Sequence, residues 1–86
     1  MSWYCYLLEC ADGTLYAGIT NDLARRVAAH NAGVASKYTR ARLPVRLAYA
    51  ENHPDRAAAS RRELALKRLP RAAKLGLIQA GASRVE

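Results

Sequence analysis

The 86-residue chain has no Phe at all, and Met and Trp occur once each. A core must therefore be assembled from Ala, Leu, Val, Ile and Tyr. The three prolines break the chain only at Pro44, Pro54 and Pro70, and no linker, repeat or low-complexity stretch appears. The two cysteines, Cys5 and Cys10, lie five apart on one extended run. They point to opposite faces at roughly 17 Å and cannot bridge each other. The apolar run from Trp3 stops at Glu9 and lacks a basic leader, so neither a secretory segment nor a membrane span is expected. A reducing, cytoplasmic setting follows from that cysteine usage. Metal-finger spacing, a Walker-type loop and a Ser-His-Asp signature are also missing.

Positive charge is what remains in excess. The formal net charge is +7, yet no Lys or Arg precedes Arg25. So basic a small chain suits a polyanion, and no helix pairs a basic face with large apolar residues as a membrane-surface helix would. Nucleic acid is the expected partner, a membrane is not, and the basic surface being merely solvated is the bland alternative.

The first 20 residues read as a hairpin. Trp3 to Cys10 and Thr14 to Thr20 are β-prone runs joined by Ala11-Asp12-Gly13. A two-residue turn would put Tyr6 and Tyr16 on opposite faces. A three-residue loop pairs Leu8 with Tyr16 and Tyr6 with Gly18, and both tyrosines then share a face. The pattern favours the second register: Trp3, Cys5, Leu7, Leu15, Ala17 and Ile19 form a core face, and Tyr4, Tyr6, Leu8, Tyr16 and Gly18 the other. Gly18 leaves room above the pleat for a ligand backbone.

Thr20 or Asn21 caps a helix that ends at Gly33, with Leu23, Ala24, Val27, Ala28 and Asn31 as its inward stripe. Arg26 and His30 stand four apart on the border of that stripe, and Arg25 points elsewhere. Gly33 to Pro44 reads as a loop. Its Lys37, Tyr38, Arg40 and Arg42 interleave cations with an aromatic ring, as a phosphate- and base-contacting segment does. Val45 to Ala50 is a third strand. A helix from Pro54 or Asp55 to about Leu69 carries Glu63, the only acid between Asp55 and Glu86. A salt bridge from Glu63 to Lys67 is its ordinary explanation. A last helix follows Pro70 and ends at Gly81, and residues 82–86 are expected to fray. The result is an α+β fold with a small three-stranded antiparallel sheet flanked by helices, order β-β-α-β-α-α, in one domain over residues 1–81.

These residues resemble the GIY-YIG nuclease superfamily. Tyr4-Cys5-Tyr6 stands where that family has Gly-Ile-Tyr, and Tyr16-Ala17-Gly18 where it has Tyr-Ile-Gly. Arg26 matches its catalytic arginine, His30 its helical histidine and Glu63 its metal-binding glutamate. Small stand-alone bacterial members similar to the excision-repair incision subunit are the nearest in pattern. The resemblance departs near Leu75, where some members carry an Asn; none follows Asn52 here.

The resemblance implies a divalent-metal-dependent endonuclease acting on DNA, with Tyr6, Tyr16, Arg26, His30 and Glu63 catalytic. Glu63 would hold one Mg²⁺ or Mn²⁺, and Gly18, Lys37, Tyr38, Arg40, Arg42 and Lys67 would contact nucleic acid. A nucleic-acid-binding module of the same fold without turnover is the alternative. A monomer is expected, with a protein partner for targeting an open option.

Overall fold

The computed structural model describes residues 2–81, and the expected fraying of residues 82–86 lies outside them. Its order is β1 (Trp3–Glu9), β2 (Leu15–Thr20), α1 (Leu23–Asn31), α2 (Lys37–Arg40), β3 (Arg46–His53), α3 (Arg56–Arg68) and α4 (Arg71–Gly81). The three strands form one antiparallel sheet in the order β2-β1-β3. No helix among the described residues is long and apolar enough to cross a membrane.

The hairpin adopts the three-residue register. Tyr6 pairs with Gly18 and Leu8 with Tyr16, so both phenols stand on one face. Gly13 takes φ +84° at the turn, where a side chain would be strained. Asp12 accepts from the Thr14 backbone N–H at 3.1 Å and the Thr14 hydroxyl at 2.7 Å, which fixes the tip.

Burial differs from the one-faced core expected from the strand alternation. Cys5, Leu7, Ala17, Tyr49 and Leu66 form a cluster joined by Leu69, Leu77 and Ile78 of the last two helical segments. A second cluster, on the tyrosine side, contains Tyr6, Leu8, Cys10, Val45 and Ala50, with Leu23 and Val27 of α1 packed on it. Both faces of the sheet are thus covered, and fully burying each leucine contributes about 1.5–3 kcal/mol. A register shift between Leu7 and Leu8 sets Leu7 against Tyr49 but Leu8 against Leu47. Ala48 is the extra residue, and it turns Tyr49 and Leu47 to opposite faces.

The helix starts and faces also differ from expectation. Asp22, not Thr20 or Asn21, caps α1 by accepting from Arg25 N–H, and Asp55 caps α3 by accepting from Ala58 N–H. Thr20 is used differently: its hydroxyl accepts from Asp22 N–H at 3.1 Å. The inward face of α1 is Leu23, Val27 and His30, while Ala24 and Ala28 are exposed. Asn31 ties the helix end to the sheet, since its amide donates to Val45 C=O at 3.0 Å and accepts from Val45 N–H at 2.7 Å. The expected loop from Gly33 to Pro44 contains the one-turn helix α2, capped by Ser36 accepting from Tyr38 N–H.

Gly18 is the position where the hairpin leaves no room. A Cβ there would lie 2.6 Å from Tyr6 Cζ, because the Tyr6 ring crosses over the glycine toward β2. Gly18→Ala is expected to displace Tyr6 and to cost about 1–3 kcal/mol of stability. Urea unfolding of the two proteins checks this; an alanine variant as stable as the parent would contradict it.

Candidate active site around the Tyr6 hydroxyl

Tyr6 is 1% exposed and His30 completely buried, although both carry polar groups that must find partners. They find each other, with Tyr6 Oη 3.1 Å from His30 Nε2. Arg26 Nε–H donates to Tyr6 Oη at 3.4 Å, and His30 Nδ1 lies 2.8 Å from the Thr39 hydroxyl. Thr39, itself fully buried on α2, donates to Ser36 C=O at 3.3 Å.

One histidine tautomer satisfies all of these contacts. Thr39 gives its only hydroxyl proton to Ser36 C=O, so it accepts from His30 Nδ1–H. His30 Nε2 then presents a lone pair, and Tyr6 O–H donates to it. Every group is satisfied by one direction of donation: Arg26 to Tyr6, to His30, to Thr39, to Ser36. The opposite tautomer would leave the buried Tyr6 O–H with no acceptor among the described residues, which costs about 1–3 kcal/mol. The chain spans β1, α1 and α2, and its bonds polarise one another.

Acidity follows from this burial. Desolvation holds His30 below the usual histidine range near 6.5, and the positive charge of Arg26 adds to the effect. Burial also raises Tyr6 above the ordinary phenol value, against the lowering influence of the Arg26 hydrogen bond and charge. Tyr6 is thus a neutral donor and His30 a neutral acceptor near pH 7. On the other face burial pushes the Cys5 thiol up to about 12, which makes it unreactive.

Tyr16 stands beside this chain on different terms. It is half-buried, its ring is edge-on to His30 at 5.4 Å, and among the described residues its hydroxyl has no hydrogen-bond partner. Tyr38 stacks on its other side at 5.7 Å, and Arg42 lies over Tyr38 at 3.9 Å from the ring centroid. Arg42 also pairs with Asp12 at 3.0 Å and donates to Tyr38 C=O at 2.9 Å. Tyr38 remains exposed, with Tyr16 and Arg42 both in contact with its ring. Lys37 and Arg40 are exposed on α2 without ion-pair partners among the described residues.

Glu63 approaches from the opposite face of the sheet on α3. It is 23% exposed and makes the expected ion pair with Lys67, at 3.6 Å. Its helix packs on β2 and β1. Arg26 stands on α1. It lines one cleft with Arg25 and Asp22, and another with Trp3, Ile19 and Arg56. Among the described residues no group of three or more His, Cys, Asp or Glu could hold a metal.

A family profile described as the GIY-YIG catalytic domain matches residues 2–75. The chain belongs to the GIY-YIG family. A UPF0213 protein of Xanthomonas axonopodis pv. citri is 58% identical over 78 residues, covering 91% of this chain and 76% of the relative. One from Halobacterium salinarum is 50% identical over 74 residues, covering 86% and 96%. Among solved structures, the solution NMR structure of UPF0213 protein BH0048 from Bacillus halodurans matches with TM-score 0.59 and 41% identity. That match covers 93% of this chain and 85% of the other. Protein EF2693 from E. faecalis, also solved by NMR, gives TM-score 0.62 and 36% identity at the same coverage. The family and the architecture expected from the sequence are therefore established.

Thr39 was not among the candidate residues of this GIY-YIG domain. The signal was available: Ser36 three residues before Thr39 is a helix-start pattern, and a threonine on a one-turn helix faces whatever the turn packs against. Thr39→Val keeps the shape and removes the acceptor of His30 Nδ1–H. The variant is expected to lose about 1–3 kcal/mol. Imidazole ¹⁵N shifts should report the Nδ1–H tautomer in the parent protein and a mixture in the variant. Because the folded His30 pKa lies below the unfolded value, the unfolded chain takes up the proton first. Stability is therefore full above about pH 6.5 and declines as pH falls from there toward the folded pKa, by at most ~1.4 kcal/mol per pH unit. Urea midpoints between pH 7 and pH 5 check the sign.

Proposed function

We propose that this GIY-YIG domain is a divalent-metal-dependent endonuclease hydrolysing phosphodiester bonds in DNA. The observation that carries the reading is the way Arg26 is held. Its Nε is spent on Tyr6, its two terminal nitrogens make no hydrogen bond among the described residues, and the residue lines two open clefts. A guanidinium fixed at the inner nitrogen and open at the outer pair suits two oxygens of one phosphate.

The donor set fits Mg²⁺ or Mn²⁺ better than zinc. A single half-buried carboxylate, Glu63, suits a hard cation that retains most of its waters, whereas a zinc site needs three or four protein ligands. When bound there, such an ion supplies further neutralisation of the scissile phosphate. Lys67 must then release Glu63, at small cost for an exposed pair.

The protein's own groups divide the remaining work by exposure. Arg26 binds the phosphate and offsets the charge that grows on its oxygens in the transition state. Tyr16, whose hydroxyl makes no hydrogen bond among the described residues, orients the attacking water. To act as its base it must first lose its own proton to solvent, and the phenolate then takes the water's proton and is neutral again. Tyr6, His30 and Thr39 are sealed from solvent and hold Arg26 and the Tyr16 ring in register. Lys37, Arg40 and Lys67 are exposed cations that steer the polymer, whereas Gly18 is buried under the Tyr6 ring and serves to seat it.

Glu63→Gln and Arg26→Ala are expected to lower Mg²⁺-dependent cleavage of labelled DNA by at least about a hundredfold, with urea midpoints little changed. Tyr16→Phe should abolish scission and leave binding intact. Equal cleavage by the parent and all three variants would remove this mechanism. Salt-sensitive binding with no scission under any divalent ion would identify a binding module instead.

A further inference from the structure

The two clefts flanking Arg26 share Thr20, Asn21 and Arg26, so they are two ends of one groove. One end, of about 400 Å³, is lined by Asp22, Arg25 and Ala29. The other, of about 360 Å³, passes round the end of β2 to Trp3, Ile19 and Arg56. None of these last three residues was among the sequence-based candidates.

What sets this groove apart is the number of guanidinium groups that line it, not their lack of ion pairs, which several other surface cations share. Arg42, Arg46 and Arg62 are each paired with a carboxylate, and Arg71 donates to Gly13 C=O. Arg25, Arg26 and Arg56 enter no ion pair among the described residues. The only acid lining the groove, Asp22, already accepts from Arg25 N–H as the helix cap. Three guanidinium groups against one carboxylate leave the groove net positive, which suits an anionic ligand with more than one charge.

Trp3 adds a flat apolar surface at the far end. The Arg56 guanidinium carbon lies 5.7 Å from the Trp3 ring centroid, far looser than the 3.9 Å between Arg42 and Tyr38. Arg56 is exposed and can give up the indole face to take a phosphate.

We infer that the Trp3–Arg56 end of the groove is a nucleotide subsite: one base of a single strand stacks on Trp3 while Arg56 holds its phosphate. This rests on the nuclease reading for the identity of the polymer. It adds that the strand leaving Arg26 runs round the end of β2, and that the polymer must be unpaired there to offer a base face. Base stacking on an aromatic side chain tolerates any sequence.

The only tryptophan in the chain makes the test direct. In EDTA, so that no strand is cut, the protein is titrated with a short single-stranded oligothymidylate and with an abasic strand of equal phosphate count. Trp3 emission and probe anisotropy are read together. The expected result is saturable quenching by the thymidylate alone, with binding of both strands. Arg56→Gln should weaken thymidylate binding about tenfold and lower the salt slope by roughly 0.7. Unchanged emission at saturating anisotropy, or equal quenching by the abasic strand, overturns the stacking. An Arg56→Gln variant that binds like the parent overturns the phosphate contact. Quenching without scission in Mg²⁺ would leave this subsite standing and remove the nuclease reading, and scission without quenching would do the reverse.

Discussion

One buried hydroxyl holds the tyrosine side of the molecule together. Tyr6 Oη is the meeting point of a strand and a helix, and through His30 it reaches the short helix under Thr39. Each of these groups would be costly to bury alone. Together they form a chain in which every donor has an acceptor, so the polar interior rigidifies where a half-satisfied one would loosen. The opposite residue on β2 must be glycine for the Tyr6 ring to lie as it does. The tyrosine of the first strand and the glycine of the second are therefore one steric unit, and the arginine is aimed by it.

The elements and their order could be read from the chain because local signals agreed. Gly13 marked the turn, Asp55 the start of α3 and Pro70 the break before α4. The face shared by Tyr6 and Tyr16 followed from loop length alone. What could not be read depended on contacts between distant segments. Ala24 and Ala28 match a helical stripe as well as His30 does, and only the Thr39 and Tyr6 partners explain why the histidine is the residue buried. The bulge at Ala48 has no local signature, and it decides which face Tyr49 joins. Tyr38 is exposed as expected, but its contacts with Tyr16 and Arg42 had no local signature.

The same distinction sorts the basic residues. From composition, all fourteen Lys and Arg side chains are equivalent cations. In the fold, Arg42 pins the hairpin tip to α2 through Asp12, Arg62 meets Glu51 together with Tyr49 and His53, and Arg71 closes on the turn at Gly13. Those are structural uses of charge. Among the described residues the groups left over line the groove at Arg26 or stand on α2, α3 and α4. Net charge alone points to a polyanion, and the grouping of Arg25, Arg26 and Arg56 along one groove favours that groove as its place.

The sheet itself explains why that place is an edge. Three strands with both faces covered form a wall between α1 and α3, so groups from the two helices can meet only by going round it. At the end of β2 they do: Arg26 from α1 and Arg56 from α3 line one cleft. An exposed strand edge normally invites unwanted pairing. Here α3 packs along β2, and the cations at the end of that strand favour a charged polymer over another strand. Glu63 lies on the same helix, two turns beyond Arg56. An anionic strand crossing the end of β2 would therefore meet Arg26 from one side and α3 from the other. A carboxylate in that position is repelled by the substrate's own phosphates unless a cation lies between them, which is the physical reason to expect this site to work with a divalent ion and not with arginine alone.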